Sequence, residues 1–243
     1  LYRNGIFPMG DHNDDNKIFW CNPLVRAVIP ISKLHISRSL KKLCAKKKFK
    51  FSINYDFKTT ISNCANREET WINKSIMSIY NDLHDLGYAH SIEVWEDKEL
   101  KGGLYGIAVG RIFFAESMFS KSSNGSKIAL IALMGILSLN KFLLLDVQFI
   151  TDHLKTLGAK EFSRPLFLHL INKSNFNKHL KTQKHFKNLK TCSDVSYNPL
   201  SSFEMTTNDH KMTKMTTNDQ KMTKNKPKNF ECDYCNKLFS TNA

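Results

Sequence analysis

Glu116 is the one carboxylate in an otherwise uncharged, aromatic run, IFFAESMF at residues 112–119. Burying an unpaired carboxylate among apolar side chains is unfavourable, so an acid kept at such a position is either paired or used for chemistry. The residues by themselves leave both alternatives open. One is a salt bridge within the sheet, for instance to Arg111 or Lys127, and the other is a functional carboxylate.

Asp146 and Gln148 form a second polar group, at the end of the apolar run FLLLDVQ (142–148). Residues two apart point to the same side of a β-strand. One side of this strand would therefore carry a carboxylate next to an amide, and Glu116 can face them from another strand. Such a group can orient a reacting molecule, accept a proton or bind a cation.

The elements that position these residues follow from apolar spacing and turn signals. Residues 90–119 contain three strand-like segments, separated by EDK and by Gly110–Arg111, which predicts an antiparallel meander. The patterns further predict strands over 49–57 and 142–148, and helices over 32–48, 68–87 and 127–139, one ending at Gly158 and one starting at Pro165. Meander, helix, buried strand and helix is the order found in acyltransferases of the GNAT superfamily, an analogy of fold alone.

The sequence predicts an α+β protein with three parts. Residues 1–30 are turn-rich and are interpreted as a small N-terminal domain, and residues 31–173 as the GNAT-like domain. Residues 174–243 form a basic tail that includes the tandem repeat MTTNDHKMTK and MTTNDQKMTK at 205–224. Such a segment has too few apolar residues to form a core, so we expect the tail to be largely disordered.

Charge and cysteine usage narrow the class of protein. The formal net charge of +14 indicates a polyanionic partner. The six cysteines are mostly scattered, which is typical of a reducing compartment. The longest apolar run, 128–139, is too short to span a bilayer and no signal peptide is visible, so we expect a cytoplasmic monomer with no membrane association.

Over about residues 1–173 the chain resembles the leucyl/phenylalanyl-tRNA–protein transferase family. The resemblance is carried by motifs in the family's order, YRNGIFPM, HISRSL, TWI, LHDLGYAHSIEVW, GGLYGIAVG, FFAESMFS, NGSK and LLDVQ. It implies an enzyme that moves Leu or Phe from aminoacyl-tRNA to the N-terminal Arg or Lys of a protein, which marks that protein for degradation. We expect no cofactor and no metal.

The resemblance also implies roles for the polar residues. Gln148 would contact the attacking amine and Asp146 would polarise it, and Glu116 would add negative charge or recognise the cationic acceptor terminus. The donor is an activated ester and the acceptor α-amino group has a pKa of about 7.7–8.0. The reaction therefore needs positioning and proton acceptance, but no Ser or Cys nucleophile.

Three further sets of residues are substrate-binding candidates under this resemblance. A hydrophobic pocket for the Leu, Phe and also Met side chain would be formed by Leu104, Phe113, Leu130, Leu133, Leu137 and Leu145, although a helical apolar stripe is more often plain core. Trp71 and Trp20 would stack near the terminal adenosine. The tRNA body would contact the basic cluster of Arg38, Lys41, Lys42, Lys46, Lys47 and Lys48.

Two alternatives remain open. An acetyl-CoA-dependent N-acetyltransferase would need a diphosphate-binding loop before the central helix, and SKSSNGSK (120–127) does not match one. The other alternative is an inactive core with a nucleic-acid-binding tail. The tail carries zinc-finger-like fragments, with Cys232 and Cys235 after His179 and His185, but this order is the reverse of a finger and predicts no zinc site.

Overall fold

The computed structural model describes residues 1–46, 48–174, 229–231 and 238–240. Lys47 and the four residues of the zinc-finger-like fragments, His179, His185, Cys232 and Cys235, lie outside the described residues. The chain divides into two compact units, Leu1–Thr206 and Thr207–Ala243. Within the second, a short antiparallel pair is described, formed by strands Asn229–Glu231 and Leu238–Ser240.

The first unit is built on a seven-stranded sheet with the order β4-β5-β6-β7-β8-β3-β9. Its strands are β3 (Val25–Pro30), β4 (Lys50–Ile53), β5 (Ala89–Glu96), β6 (Glu99–Val109), β7 (Ile112–Ser120), β8 (Leu144–Gln148) and β9 (Lys160–Ser163). All neighbours are antiparallel except β7 and β8, which are parallel. A separate hairpin pairs β1 (Phe7–Gly10) with β2 (Ile18–Cys21).

Six α-helices accompany the sheet in the described part of this unit. They are α1 (Arg38–Ala45), α2 (Phe57–Ala65), α3 (Lys74–Asp85), α4 (Gly125–Leu139), α5 (Asp152–Thr156) and α6 (Arg164–Lys173). Side chains of α1 and α4 share one apolar cluster with the sheet, whereas α2, α3 and α6 share another. Adjacent strand residues alternate between the clusters: Phe113 and Leu145 belong to the first, and Phe114 and Leu144 to the second. The sheet is therefore covered on both faces.

The α+β class, the meander β5–β6–β7 and the order meander, helix, buried strand, helix are confirmed. β3 lies within the predicted N-terminal segment 1–30, yet it pairs with both β8 and β9 of the main sheet. The predicted boundary at residue 30 therefore follows directly after a strand of this sheet. No helix among the described residues is long and apolar enough to cross a membrane.

Helix ends differ from the sequence prediction because capping side chains fix them. The prediction of one helix over 32–48 is wrong, since Ser37 accepts a hydrogen bond from the Leu40 amide and α1 begins only at Arg38. Asn73 caps α3 in the same way, which shortens the helix predicted over 68–87. Asp56 caps α2, a helix that was not predicted because its β-branched residues have low helix propensity.

Candidate active site

Glu116 lies on β7 with only 7% of its surface exposed. The Tyr2 hydroxyl donates to its Oε1 at 2.7 Å, and Gln148 Nε2 donates to its Oε2 at 2.8 Å. The hydroxyls of Tyr2 and Tyr80 share a further short hydrogen bond. The sheet salt bridge is not formed, because Glu116 has no ion pair among the described residues and Arg111 Nε donates to the backbone oxygen of Lys141 instead.

The environment of Glu116 makes it a proton acceptor near neutral pH. Burial raises the pKa of its carboxyl to about 7, and the hydrogen bonds from Tyr2, Gln148 and Tyr80 oppose that rise. The nearby carboxylate of Asp146 adds to the rise. A group with this pKa is partly ionised at pH 7, so it can take up and release a proton there.

Asp146 is fully buried on β8 and is paired with the equally buried Arg26 of β3. Nε of Arg26 donates to Oδ1 of Asp146 at 3.2 Å and Nη2 donates to Oδ2, a two-point contact. Nη1 donates to the Gly5 carbonyl at 2.8 Å, and the guanidinium lies over the rings of Phe7 and Phe167. Burial raises the pKa of the Asp146 carboxyl, and Arg26 counteracts that rise. The charge of Asp146 is therefore neutralised locally.

Gln148 ends β8 with a left-handed backbone, φ 63°. The register with β3 shifts here, so that Ala27 and Val28 oppose Gln148 and Asp146. The backbone N–H of Gln148 donates to Oδ1 of Asp146 at 3.1 Å, and this hydrogen bond fixes the bend. Since its Nε2 is committed to the carboxylate of Glu116, the side-chain oxygen of Gln148 remains as an acceptor.

A cleft of about 680 Å³ opens beside this cluster. Among its lining residues are Glu116, Trp71 and the apolar side chains of Leu104, Leu130, Met118, Val147 and Phe149. Asp146 and Gln148 are not among the lining residues, although Val147 and Phe149, which follow them in the chain, are, and Gln148 retains 8% exposure. The structure thus brings the three predicted polar residues together next to a partly apolar cavity.

The predicted side-chain pocket is only partly at this cleft. Leu104 and Leu130 line it. Phe113, Leu133, Leu137 and Leu145 do not; each is fully buried in the apolar cluster that contains α4. The physical reason is that every residue from Ile128 to Leu137 is buried, so helical spacing does not single out the side of α4 that faces the cleft.

The other predicted substrate contacts are dispersed. Trp71 lines the cleft, whereas Trp20 lies on β2 with 54% of its surface exposed and does not line it. The described members of the basic cluster are all exposed, on α1 or directly after it. Lys48 is engaged by Glu96, with 2.6 Å between Nζ and Oε1.

Sequence reasoning missed Arg26, Tyr2 and Tyr80. Arg26 carried a usable signal, because it is a charge within the apolar strand VRAVIP, the same anomaly that marked Glu116. Tyr2 and Tyr80 carried no such signal, since tyrosines commonly fill apolar cores.

The sequence is similar to proteins of one named family. The family described as "Leucyl/phenylalanyl-tRNA protein transferase" matches residues 28–172. The protein named leucyl/phenylalanyl-tRNA–protein transferase from Dinoroseobacter shibae is 48% identical over 163 residues. The match covers 67% of this chain and 73% of that protein. The protein of that name from Roseobacter denitrificans is 49% identical over 163 residues, covering 67% and 78%.

Solved structures overlap in part. The structure titled L-PGS from Bacillus licheniformis has a TM-score of 0.36 and 11% identity, covering 62% of this chain and 51% of that one. The sequence comparisons, which span β3 to α6, are the decisive ones. The chain belongs to the leucyl/phenylalanyl-tRNA–protein transferase family.

Proposed function

We propose that this chain transfers Leu or Phe from aminoacyl-tRNA to the N-terminus of acceptor proteins. Family membership supports the reaction class and favours it over transfer from acetyl-coenzyme A. The observation that carries the proposal is the hydrogen bond from Gln148 to Glu116 beside a partly apolar cleft. Glu116, with a pKa of about 7, lines the cleft where an amine can approach, and the amide of Gln148 is hydrogen-bonded to it.

The reaction needs no covalent enzyme intermediate. The acceptor α-amino nitrogen attacks the ester carbonyl, so that a C–N bond forms and the C–O bond to the tRNA ribose breaks. The proton leaves the nitrogen, and the departing ribose oxygen takes up a proton. Because the ester is already activated, the gain from the enzyme is positioning and proton transfer.

Gln148 and Glu116 divide this work. The Gln148 side-chain oxygen accepts a hydrogen bond from the amine. This contact directs the lone pair of the amine nitrogen at the ester carbonyl. Glu116 binds the incoming ammonium group and takes its proton, which its pKa of about 7 allows at neutral pH. An anionic Glu116 also suits an acceptor that carries an N-terminal Arg or Lys, the acceptor class we propose.

Asp146 is a positioning residue in this scheme. Its charge is matched by Arg26, and its contact toward the site is the hydrogen bond that holds the backbone of Gln148. The expectation that Asp146 itself polarises the amine is therefore replaced by the proposal that it fixes the left-handed bend at Gln148.

Substrate selection is assigned to the apolar wall of the cleft. Leu104 and Leu130, with Met118 and Val147, present side chains that cannot distinguish sharply between apolar groups. A single methylene is worth about 1–3 kcal/mol in such a site, which fits the use of Leu, Phe and Met. Trp71 also lines the cleft, which supports the proposal that it stacks on the terminal adenine, a contact worth about 1–3 kcal/mol.

The test is transfer of labelled Leu from Leu-tRNA to a peptide with an N-terminal Arg, catalysed by the full chain. Gln148→Ala and Glu116→Gln are expected to lower the rate by roughly 10²- to 10⁴-fold. Glu93→Gln is the matched control, since Glu93 is also a buried carboxylate but accepts its hydrogen bonds from Ser52 and Ser91. Wild-type rates in both site variants, with folded protein by circular dichroism, would refute the site.

A further inference from the structure

Arg67 is a cation fixed at the cleft. It follows α2, it is exposed, and it lines the same cavity as Glu116. Its Nη2 donates to the Ser117 hydroxyl at 2.9 Å and also to the Met118 carbonyl oxygen. Both acceptors belong to β7, one and two residues beyond Glu116. The guanidinium is therefore held beside the reacting groups in a set orientation.

Lys121 adds a second cation to the same cavity. It follows the end of β7, where its backbone amide donates to the Lys101 carbonyl at 2.8 Å, and it lines the cleft. The hydroxyls of Ser120 and Ser126 lie in the same wall, joined by a 3.0 Å hydrogen bond. Among the described residues, neither Arg67 nor Lys121 takes part in an ion pair with a carboxylate.

The cleft is thus divided by charge along β7. Glu116 offers a carboxylate for the amine, and beyond it the wall carries the two cations and the hydroxyls of Ser117, Ser120 and Ser126, besides the apolar Met118 and Phe119. A strand advances about 3.3 Å per residue, so the backbone of Met118 lies about 7 Å along β7 from that of Glu116. In the terminal nucleotide of an aminoacyl-tRNA, one ribose separates the ester from the 5′-phosphate. The distance between these two groups is therefore comparable to the distance between Glu116 and the cationic part of the wall.

We propose that Arg67 and Lys121 bind the phosphodiester group on the 5′ side of the terminal adenosine, the phosphate nearest to the aminoacyl ester. This proposal rests on the proposed function. The planar guanidinium matches phosphate geometry, and a Lys supplies a compact second charge. The same two cations repel the cationic acceptor terminus, which directs the amine to Glu116 and Gln148.

Two small donor analogues test the phosphate contact. One is adenosine carrying a leucyl amide at the 3′ position, and the other is the same compound with a 5′-phosphate methyl ester. Their dissociation constants for the full chain are measured by calorimetry. Wild type is expected to bind the phosphorylated compound roughly 10- to 100-fold more tightly, since hydrogen bonds to a charged group are the stronger kind, and this preference falls as salt increases.

Arg67→Gln and Lys121→Gln are each expected to reduce this preference severalfold while leaving the affinity of the unphosphorylated analogue unchanged. Lys58→Gln is the matched control, because Lys58 is an exposed lysine of α2 that does not line the cleft. If Arg67→Gln disturbs β7, Lys121→Gln still tests the phosphate contact independently. Equal binding of both analogues by wild type overturns the phosphate site and leaves the proposed function intact, whereas binding of neither overturns both.

Discussion

Replacing Glu116 by Gln should stabilise the folded protein at neutral pH. Burial keeps the pKa of this carboxyl at about 7 in the native state, whereas a Glu in an unfolded chain titrates near about 4.3. The unfolded state therefore loses its proton first as pH rises. An acid whose native pKa is raised therefore destabilises the folded state. This destabilisation grows as pH rises from about 4.3 to 7 and stays constant at higher pH.

The size of the effect follows from the gap between the two pKa values. At 1.36 kcal/mol per pKa unit, the ionisable side chain lowers the free energy of unfolding by about 3 to 4 kcal/mol above pH 7. At pH 4 the carboxyl is protonated in both states and the difference is near zero. An amide at this position does not titrate, so the variant should gain stability relative to wild type as pH rises.

Urea unfolding at several values of pH from 4.5 to 8.5 measures this gain. With an m-value of about 2 kcal/mol/M, the midpoint of Glu116→Gln should exceed that of wild type by about 1.5 to 2 M at pH 8. Glu161→Gln is the control, since Glu161 is exposed on β9 and its midpoint should follow wild type at every pH. A constant difference between Glu116→Gln and wild type would show that the pKa of Glu116 is not raised. Stability gained while transfer is lost is typical of an active-site group.

Three further outcomes are expected. Arg26→Met leaves Asp146 buried without its cation and should cost about 3–5 kcal/mol at pH 7. This loss of stability should become smaller as pH falls and the Asp146 carboxyl is protonated. A second change, Asp146→Asn, should restore part of the lost stability, and additive losses in the double variant would contradict the pairing. Gly106→Ala should lower stability by about 1–3 kcal/mol in thermal melts, because its Cβ would lie 2.2 Å from a carbonyl oxygen of β7; an unchanged melting temperature would contradict this close approach. Tyr2→Phe removes a donor from Glu116, which raises the pKa of that carboxyl, so the acid limb of the transfer rate should move to higher pH; a move to lower pH would argue against the contact.

The strands and helices with strong periodicity were predictable from local sequence. The meander and α4 carry clear patterns, because alternation and continuous apolarity directly report which residues are buried. α2 and β9 were not predicted. α2 has weak helix formers and depends on its Asp56 cap and on packing through Phe57 and Ile61. β9 is a short edge strand held by pairing with β3.

For the site, local sequence located the anomalous polar residues but not their partners. Glu116, Asp146 and Gln148 stand out because apolar strands rarely carry such groups. Their partners come from far along the chain: Arg26 is 120 residues from Asp146, and Tyr2 is 114 residues from Glu116. Spacing carries no information about contacts at that range.

The family, the α+β class and the polar residues of the candidate site follow from the amino-acid sequence, since ordered motifs and local periodicity are properties of the chain. Which charges are neutralised and which leucines line the cleft becomes visible only in the folded protein. A buried polar group without a partner is energetically costly, so each one needs a partner in the folded protein. The order of strands supplies that partner, since β3, which carries Arg26, adjoins β8, which carries Asp146. Arg26 neutralises Asp146, for which we therefore propose a positioning role, and Glu116 is the carboxylate of this group that lines the cleft.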